Sequence, residues 1–211
     1  VPAAGRGARR RLRVVRPPAQ PEPVRPAPEE EHPVNAFARR IDVAALTPAQ
    51  FVQLLETLRM LGTAGAGVEI GALSTEVLVD IVRRAPKEHI RALAEHPELR
   101  AVFLDEVFRR MTELFVPERA RHVDLVVAWR FPVGDGDEYE RFQTVIEEGT
   151  CVSGAELGCT PDTTVTVAAD DFIRMATGCV PVAAMFVTGK VKVKGEYAPV
   201  VRLIGYFDLP G

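Results

Sequence analysis

Cysteine is scarce in this chain. Cys151, Cys159 and Cys179 are the only three, an odd number with no CxxC among them, so neither a disulfide framework nor a zinc knuckle is expected and a reducing cytoplasm fits best. No uninterrupted apolar run approaches the roughly 20 residues needed to cross a bilayer. Neither sign of charge dominates: 26 Lys and Arg stand against 29 Asp and Glu, a net charge of −3, and nothing calls for a nucleic-acid partner. Catalytic constellations are missing as well. Ser153 lacks the glycine two residues before it that a nucleophile elbow requires. His32, His89, His96 and His122 never fall four apart with an acid on a shared helix face, as a metal site needs. Asp135-Gly-Asp137 opens like a calcium loop but no further carboxylates follow at the required offsets, so it reads as a hairpin turn. The glycines between Gly62 and Gly71 follow a helix rather than a strand and lack dinucleotide-fingerprint spacing; they read as a helix–helix connection. No metal or cofactor is implied.

What is present is unevenly distributed. Of the 17 prolines, eight lie in residues 1–34, with seven arginines, four glutamates and no aromatic residue. Such a segment buries too little apolar surface to offset roughly 1–2 kcal/mol of backbone entropy per ordered residue. Residues 1–36 are expected to be a disordered Pro/Arg-rich tail, a solvated tether or a docking segment.

Residues 37–98 carry helical periodicity. Thr47-Pro48-Ala49-Gln50 is a capping box with proline at the first helical position, followed by a stripe of Phe51, Leu54, Leu55, Leu58 and Leu61. Ser74 caps a second helix with Val77, Leu78, Ile81 and Val82 inside. Pro86 opens a third, with Ile90 and Leu93. Pro97 opens a fourth, with Val102, Phe103, Val107, Met111, Leu114 and Phe115 on its buried side, and Pro117 ends it.

Beyond His122 the period falls to two. Val123 to Phe131 alternates as a strand with one dry face. Further strands are expected over Tyr139–Glu147, near Cys151–Leu157 and over Thr163–Val167, the first three forming an antiparallel meander. Asp170 and Asp171 start a helix with Phe172, Ile173 and Met175, and a second follows Pro181 with Met185 and Phe186. Lys190–Lys194 reads as a fifth strand, and Pro199 begins a last helix with Val200, Val201, Leu203, Ile204 and Phe207. The fold class is therefore α+β: a five-stranded, mostly antiparallel sheet with helices on one side.

Trp129, Phe131 and Phe142 face those helices. Filled solid, the space between is an ordinary core; left partly open, it encloses an apolar cavity of ligand size. Periodicity does not choose between them. Methionine suits a lining that must repack around different guests.

The segment Ala184-Met-Phe186-Val-Thr-Gly189-Lys190-Val-Lys192-Val-Lys194-Gly195, followed by an apolar helix, resembles the closing signature of the sterol carrier protein 2 domain family. Thr164-Val-Thr166-Val-Ala-Ala-Asp170-Asp171-Phe172-Ile-Arg-Met175-Ala-Thr-Gly178 also resembles it. The resemblance implies a lipid-binding domain over residues 99–211, with helices over the sheet around a hydrophobic tunnel, acting as a carrier without a cofactor. Its guest would be a fatty acid, acyl-CoA, sterol or other isoprenoid lipid. By face parity the lining is Trp129, Phe131, Phe142, Phe172, Met175, Met185, Phe186, Val201, Ile204 and Phe207. Lys190, Lys192 and Lys194 share one strand face, a solvated surface or a weak contact for anionic headgroups, with membrane contact at most peripheral. The chain closes Asp208-Leu-Pro-Gly211, without the Ser-Lys-Leu tripeptide of some family members, so no peroxisomal address is expected.

Three functions follow. The first is non-catalytic carriage of a hydrophobic small molecule or lipid. The second is an interaction scaffold with a solid core, recruiting a protein partner through residues 1–98. The third is an enzyme on a lipid-like substrate, with Glu147, Glu148 or Cys151 reactive; a solvated hairpin end and buried small side chains explain these more simply.

Overall fold

The computed structural model describes residues 32–65, 69–155 and 157–209. The tail expected over residues 1–36 lies outside them up to residue 31, as do residues 66–68 of the glycine-rich connection. Within the span expected of the tail, Pro33–Arg40 form a helix, α1, with proline at its first turn and the His32 ring accepting from the Val34 amide.

The helices that follow begin where their capping chemistry places them. In α2 (Pro48–Thr63) the Gln50 amide donates to Thr47 Oγ1 at 3.2 Å, and the Thr47 amide donates to Gln50 Oε1 at 2.9 Å. This reciprocal pair satisfies two of the orphan donors of the first turn. Ser74 caps α3 (Thr75–Arg84) through the Val77 amide. Then come α4 (Lys87–Glu95) and α5 (Pro97–Glu113). α1 packs on α3, and α2 on α4. The His89 ring meets Phe51 at a tilt of 58°, and its Nε2 donates to the Leu46 carbonyl at 2.7 Å.

The sheet comprises β1 (Leu125–Val133), β2 (Glu138–Glu147), β3 (Thr150–Ala155), β4 (Thr163–Thr166) and β5 (Lys192–Gly195), in the order β3-β2-β1-β4-β5. The first three form the expected meander. β4 pairs with β1 in parallel, and β5 returns antiparallel to β4. Between β4 and β5 lie α6 (Ala169–Ala176) and α7 (Val182–Val187). Gly195 closes β5 at φ 109°, and a Cβ there would sit 2.7 Å from the Asp162 carbonyl oxygen. Only glycine admits that approach.

α8 (Tyr197–Leu203) ends the helical layer, with a 3-10 turn over Ile204–Tyr206. The last strand-like residues are stitched to the end of α5. The Val116 amide donates to the Tyr206 carbonyl and the Asp208 amide to the Leu114 carbonyl, each at 2.8 Å, while Phe115 and Phe207 meet edge to face.

One apolar core runs through all these elements, from Val34 on α1 to Phe207. It crosses the boundary expected near residue 98, because α5 serves both sides: it packs on α4 and α6 and also against β3. Arg100 fixes α5 to the sheet. Its Nε and Nη2 donate to the two carboxylate oxygens of Glu140 on β2, at 3.0 and 2.9 Å, and its Nη1 donates to the Ala94 carbonyl. Among the described residues no helix is long and apolar enough to cross a membrane.

Candidate functional site

Alternation along β1 places Leu125, Val127, Trp129 and Phe131 on the face covered by helices. Register extends that face across the sheet: Trp129 stands opposite Phe142 and, on the other side, opposite Val165. Phe172 on α6 closes over them, its ring centroid 5.2 Å from that of Trp129 and 5.1 Å from that of Phe131. All four sequence-predicted aromatic lining residues of this group are therefore together and buried. The indole is anchored by its polar edge: Trp129 Nε1 donates to Thr144 Oγ1 at 3.0 Å, and the Thr144 and Ser153 hydroxyls bond at 3.0 Å. A buried indole N–H needs such a partner.

The centre of the group is a residue that the α5 stripe did not single out. Phe108 stacks on Phe142 at 4.7 Å and on Phe172 at 5.0 Å, and meets Trp129 and Phe131 edge-on at 5.8 and 6.1 Å. The tunnel expected here is occupied by this ring. The nearby slit, lined by residues such as Leu78, Val107, Met111 and Ala176, holds about 20 Å3, against the roughly 300–1,000 Å3 of a ligand pocket. Phe108 also floors a solvent-open cleft of about 340 Å3 between α5 and β3, walled by Asp105, Thr112, Val152 and Ser153. The ring itself is fully buried, so Phe108 borders the cleft from beneath its walls rather than standing open to it.

The remaining predicted lining residues divide. Met175 and Met185 are buried. Phe207 is buried against Phe115, at the stitched end of the chain. Phe186 is half-buried against Tyr197 of α8, and Ile204 is half-buried. Val201 is a correction: it is 51% exposed, and Val200 and Leu203 fill the inner face of α8 instead. The helix starts at Tyr197 rather than Pro199 and turns Val201 outward.

The three lysines do not act as one row. Lys190 precedes β5 and donates to Asp171 Oδ1 at 2.7 Å, so its charge is neutralised within the fold. Lys192 and Lys194 are exposed on the sheet face away from the helices, while Val193 stands opposite inward-facing Val165. Of the groups considered as reactive, Cys151 is half-buried and burial pushes its thiol up to about 11, only partly countered by a bond with Ser153. Such a thiol is protonated at neutral pH and a poor nucleophile. Glu147 and Glu148 are exposed at the β2–β3 hairpin. Among the described residues no cluster of His, Cys, Asp and Glu could hold a metal ion.

Residues 129–208 match the SCP-2 sterol transfer family, and the resemblance read in the C-terminal half holds. No curated protein matches the chain. Among solved structures, the stereoselective inverting sec-alkylsulfatase Pisa1 from Pseudomonas sp. is 15% identical over 85% of this chain, with a TM-score of 0.45; the match spans 33% of the sulfatase, about a third of its length. Sterol carrier protein 2 like 2 from Aedes aegypti is 20% identical, covering 48% of this chain and 90% of its own, with a TM-score of 0.38. Sterol carrier protein 2 from Aedes aegypti, solved in complex with palmitate, is 19% identical, covering 51% of this chain and 97% of its own, with a TM-score of 0.40.

Proposed function

We propose that residues 99–211 bind and carry a hydrophobic small molecule, such as a fatty acid, acyl-CoA, sterol or other isoprenoid lipid, without catalysing a reaction on it. The observation that carries this reading is positional. The segment matching the sterol transfer family converges Trp129, Phe131, Phe142 and Phe172 on one space, and the side chain filling that space, Phe108, comes from α5, outside the matched residues. A guest entering from the cleft between α5 and β3, which the buried Phe108 borders, reaches that space by displacing this ring.

Displacing a buried phenylalanine forfeits about 3–5 kcal/mol of packing. Burying methylenes returns about 0.8 kcal/mol each, so roughly five of them offset the loss and a long acyl chain has ample surplus. On this reading Cys151, Cys159 and Cys179 remain free thiols in a reducing cytoplasm.

The test is titration of the full chain with palmitate and with cholesterol, followed by Trp129 emission and by native mass spectrometry. A bound guest shifts the emission and adds its mass, and Phe108→Ala, which vacates the space and spares the guest that loss of about 3–5 kcal/mol, binds more tightly by roughly a hundredfold or more; Phe108→Leu serves if the alanine variant does not fold. No guest retained by either the native chain or the folded variant overturns the proposal. The solid packing around Phe108 favours a second reading, an interaction scaffold whose partner binds through residues 1–98, and that negative result would support it.

A further inference from the structure

The face of the sheet turned away from the helices carries a cluster of cations that the inner site does not use. Register brings them into two rows. Arg141 on β2 stands opposite Arg130 on β1, Arg130 opposite Thr166 on β4, and Thr166 opposite Lys192 on β5. In the neighbouring row Gln143, Ala128, Thr164 and Lys194 follow in the same order. Like charges directly opposite on paired strands destabilise a sheet. Here no carboxylate forms an ion pair with Arg130, Arg141, Lys192 or Lys194 among the described residues. In a chain of net charge −3, such a concentration is local and, among the described residues, without an ion-pair partner.

The rows also form a cleft. The connection from β3 to β4 crosses this face and is tied down at Gln143, whose Nε2 donates to the Cys159 carbonyl at 2.7 Å and whose Oε1 accepts from the Cys159 amide at 3.1 Å. Asp162, at the end of that connection, is engaged by the Val126 amide. Beneath Gly158 and Pro161 the small side chain of Ala128 leaves a depression of about 350 Å3, lined by Arg130, Arg141, Gln143 and Thr164. Arg130 is held beside it by the Tyr139 ring, 5.9 Å from the ring centroid.

We propose that this outer-face cleft is a binding site for a phosphate group, carried by a soluble phosphate compound or by a lipid headgroup. Two guanidiniums on adjacent strands present planar forks of N–H donors, and a phosphate offers three terminal oxygens to receive them, where a carboxylate offers two. A dianion between Arg130 and Arg141 turns their mutual repulsion into attraction. Lys192 and Lys194 add long-range attraction that salt screens. The site lies across the sheet from the aromatic cluster and does not depend on lipid carriage.

The full chain is titrated with inorganic pyrophosphate at low salt, following backbone amide shifts of residues 128–130 and 141–143, and is floated with phosphatidylcholine vesicles with and without phosphatidic acid. Arg130→Gln with Arg141→Gln, and separately Ala128→Leu, which fills the floor at unchanged charge, weaken binding about tenfold or more, as loss of charge-assisted hydrogen bonds requires. Arg121→Gln with Lys87→Gln removes the same charge elsewhere and leaves binding unchanged. Saturable pyrophosphate binding assigns a soluble phosphate compound, and capture by phosphatidic acid vesicles alone assigns a headgroup. Absence of both, or equal binding by the Arg130/Arg141 variant, overturns the proposal.

Discussion

Phe108 and Phe142 lie stacked with ring centroids 4.7 Å apart and planes 13° from parallel, joining α5 to the second strand of the sheet at the centre of the aromatic cluster. Truncation at Phe108 removes four ring contacts at once. Phe108→Ala is expected to cost about 3–5 kcal/mol, measured by urea unfolding. A cost under about 1 kcal/mol, in the range of surface substitutions, would mean that the ring is not the packed centre described here.

The Arg100–Glu140 pair gives a second measurable asymmetry. Arg100 is buried and its guanidinium is bonded on three sides. Glu140→Ala strands that cation and is expected to destabilise the fold by about 3 kcal/mol. Replacing both partners, Arg100→Met with Glu140→Leu, recovers most of the loss, because no charge then remains buried. Equal losses in single and double variants would contradict this account.

Cys151 predicts a pH dependence. Its folded-state pKa lies above the ordinary value of 9.0, at about 11, chiefly through burial. The protonated thiol is thus favoured by folding, so its contribution is fully present below pH 9 and is lost as pH rises toward 11. Cys151→Ala should flatten the alkaline limb of the stability curve. At pH 8 iodoacetamide should label exposed Cys159 well before Cys151; equal labelling would show that the thiol is not sheltered.

Asp105 sits at the mouth of the cleft floored by Phe108. Burial, then the charges of Glu106 and Glu140, raise its carboxyl above the usual range. A raised carboxyl favours the fold while protonated and disfavours it once ionised, so its stabilising contribution disappears as pH rises through the folded value. Asp105→Asn is therefore expected to raise Tm at pH 7 and to have a smaller effect near pH 3. A lower Tm at pH 7 would reverse the sign.

Much of this was legible in the residues. The Thr47–Gln50 box and the Ser74 cap work as their side chains dictate, and the alternation from Leu125 to Phe131 by itself assigns the inner face. α1 was hidden by composition: Pro33 belongs to a proline-rich stretch, yet proline is well placed in a first helical turn. Phe108 was hidden by width. A stripe of Phe103, Val107 and Met111 suits a helix buried on one side, whereas α5 is buried over Leu99, Phe103, Leu104, Val107, Phe108 and Met111, since both helices and strands cover it. The Arg130–Arg141 juxtaposition could not be read at all. It depends on strand register, and the parallel β1–β4 pairing that brings Thr166 and Lys192 alongside joins segments more than thirty residues apart.

The stitching of residues 206–208 onto residues 114–116 has a mechanical consequence. The closing helix is moored at both ends, by β5 before it and by this seam after it, so the two moorings can be cut independently. A polypeptide stopped at Leu203 would keep the strand mooring yet forfeit the seam, unshielding Phe115 and letting the final helix fray. Proteases would then find their first cut in that helix while the sheet beneath stayed intact.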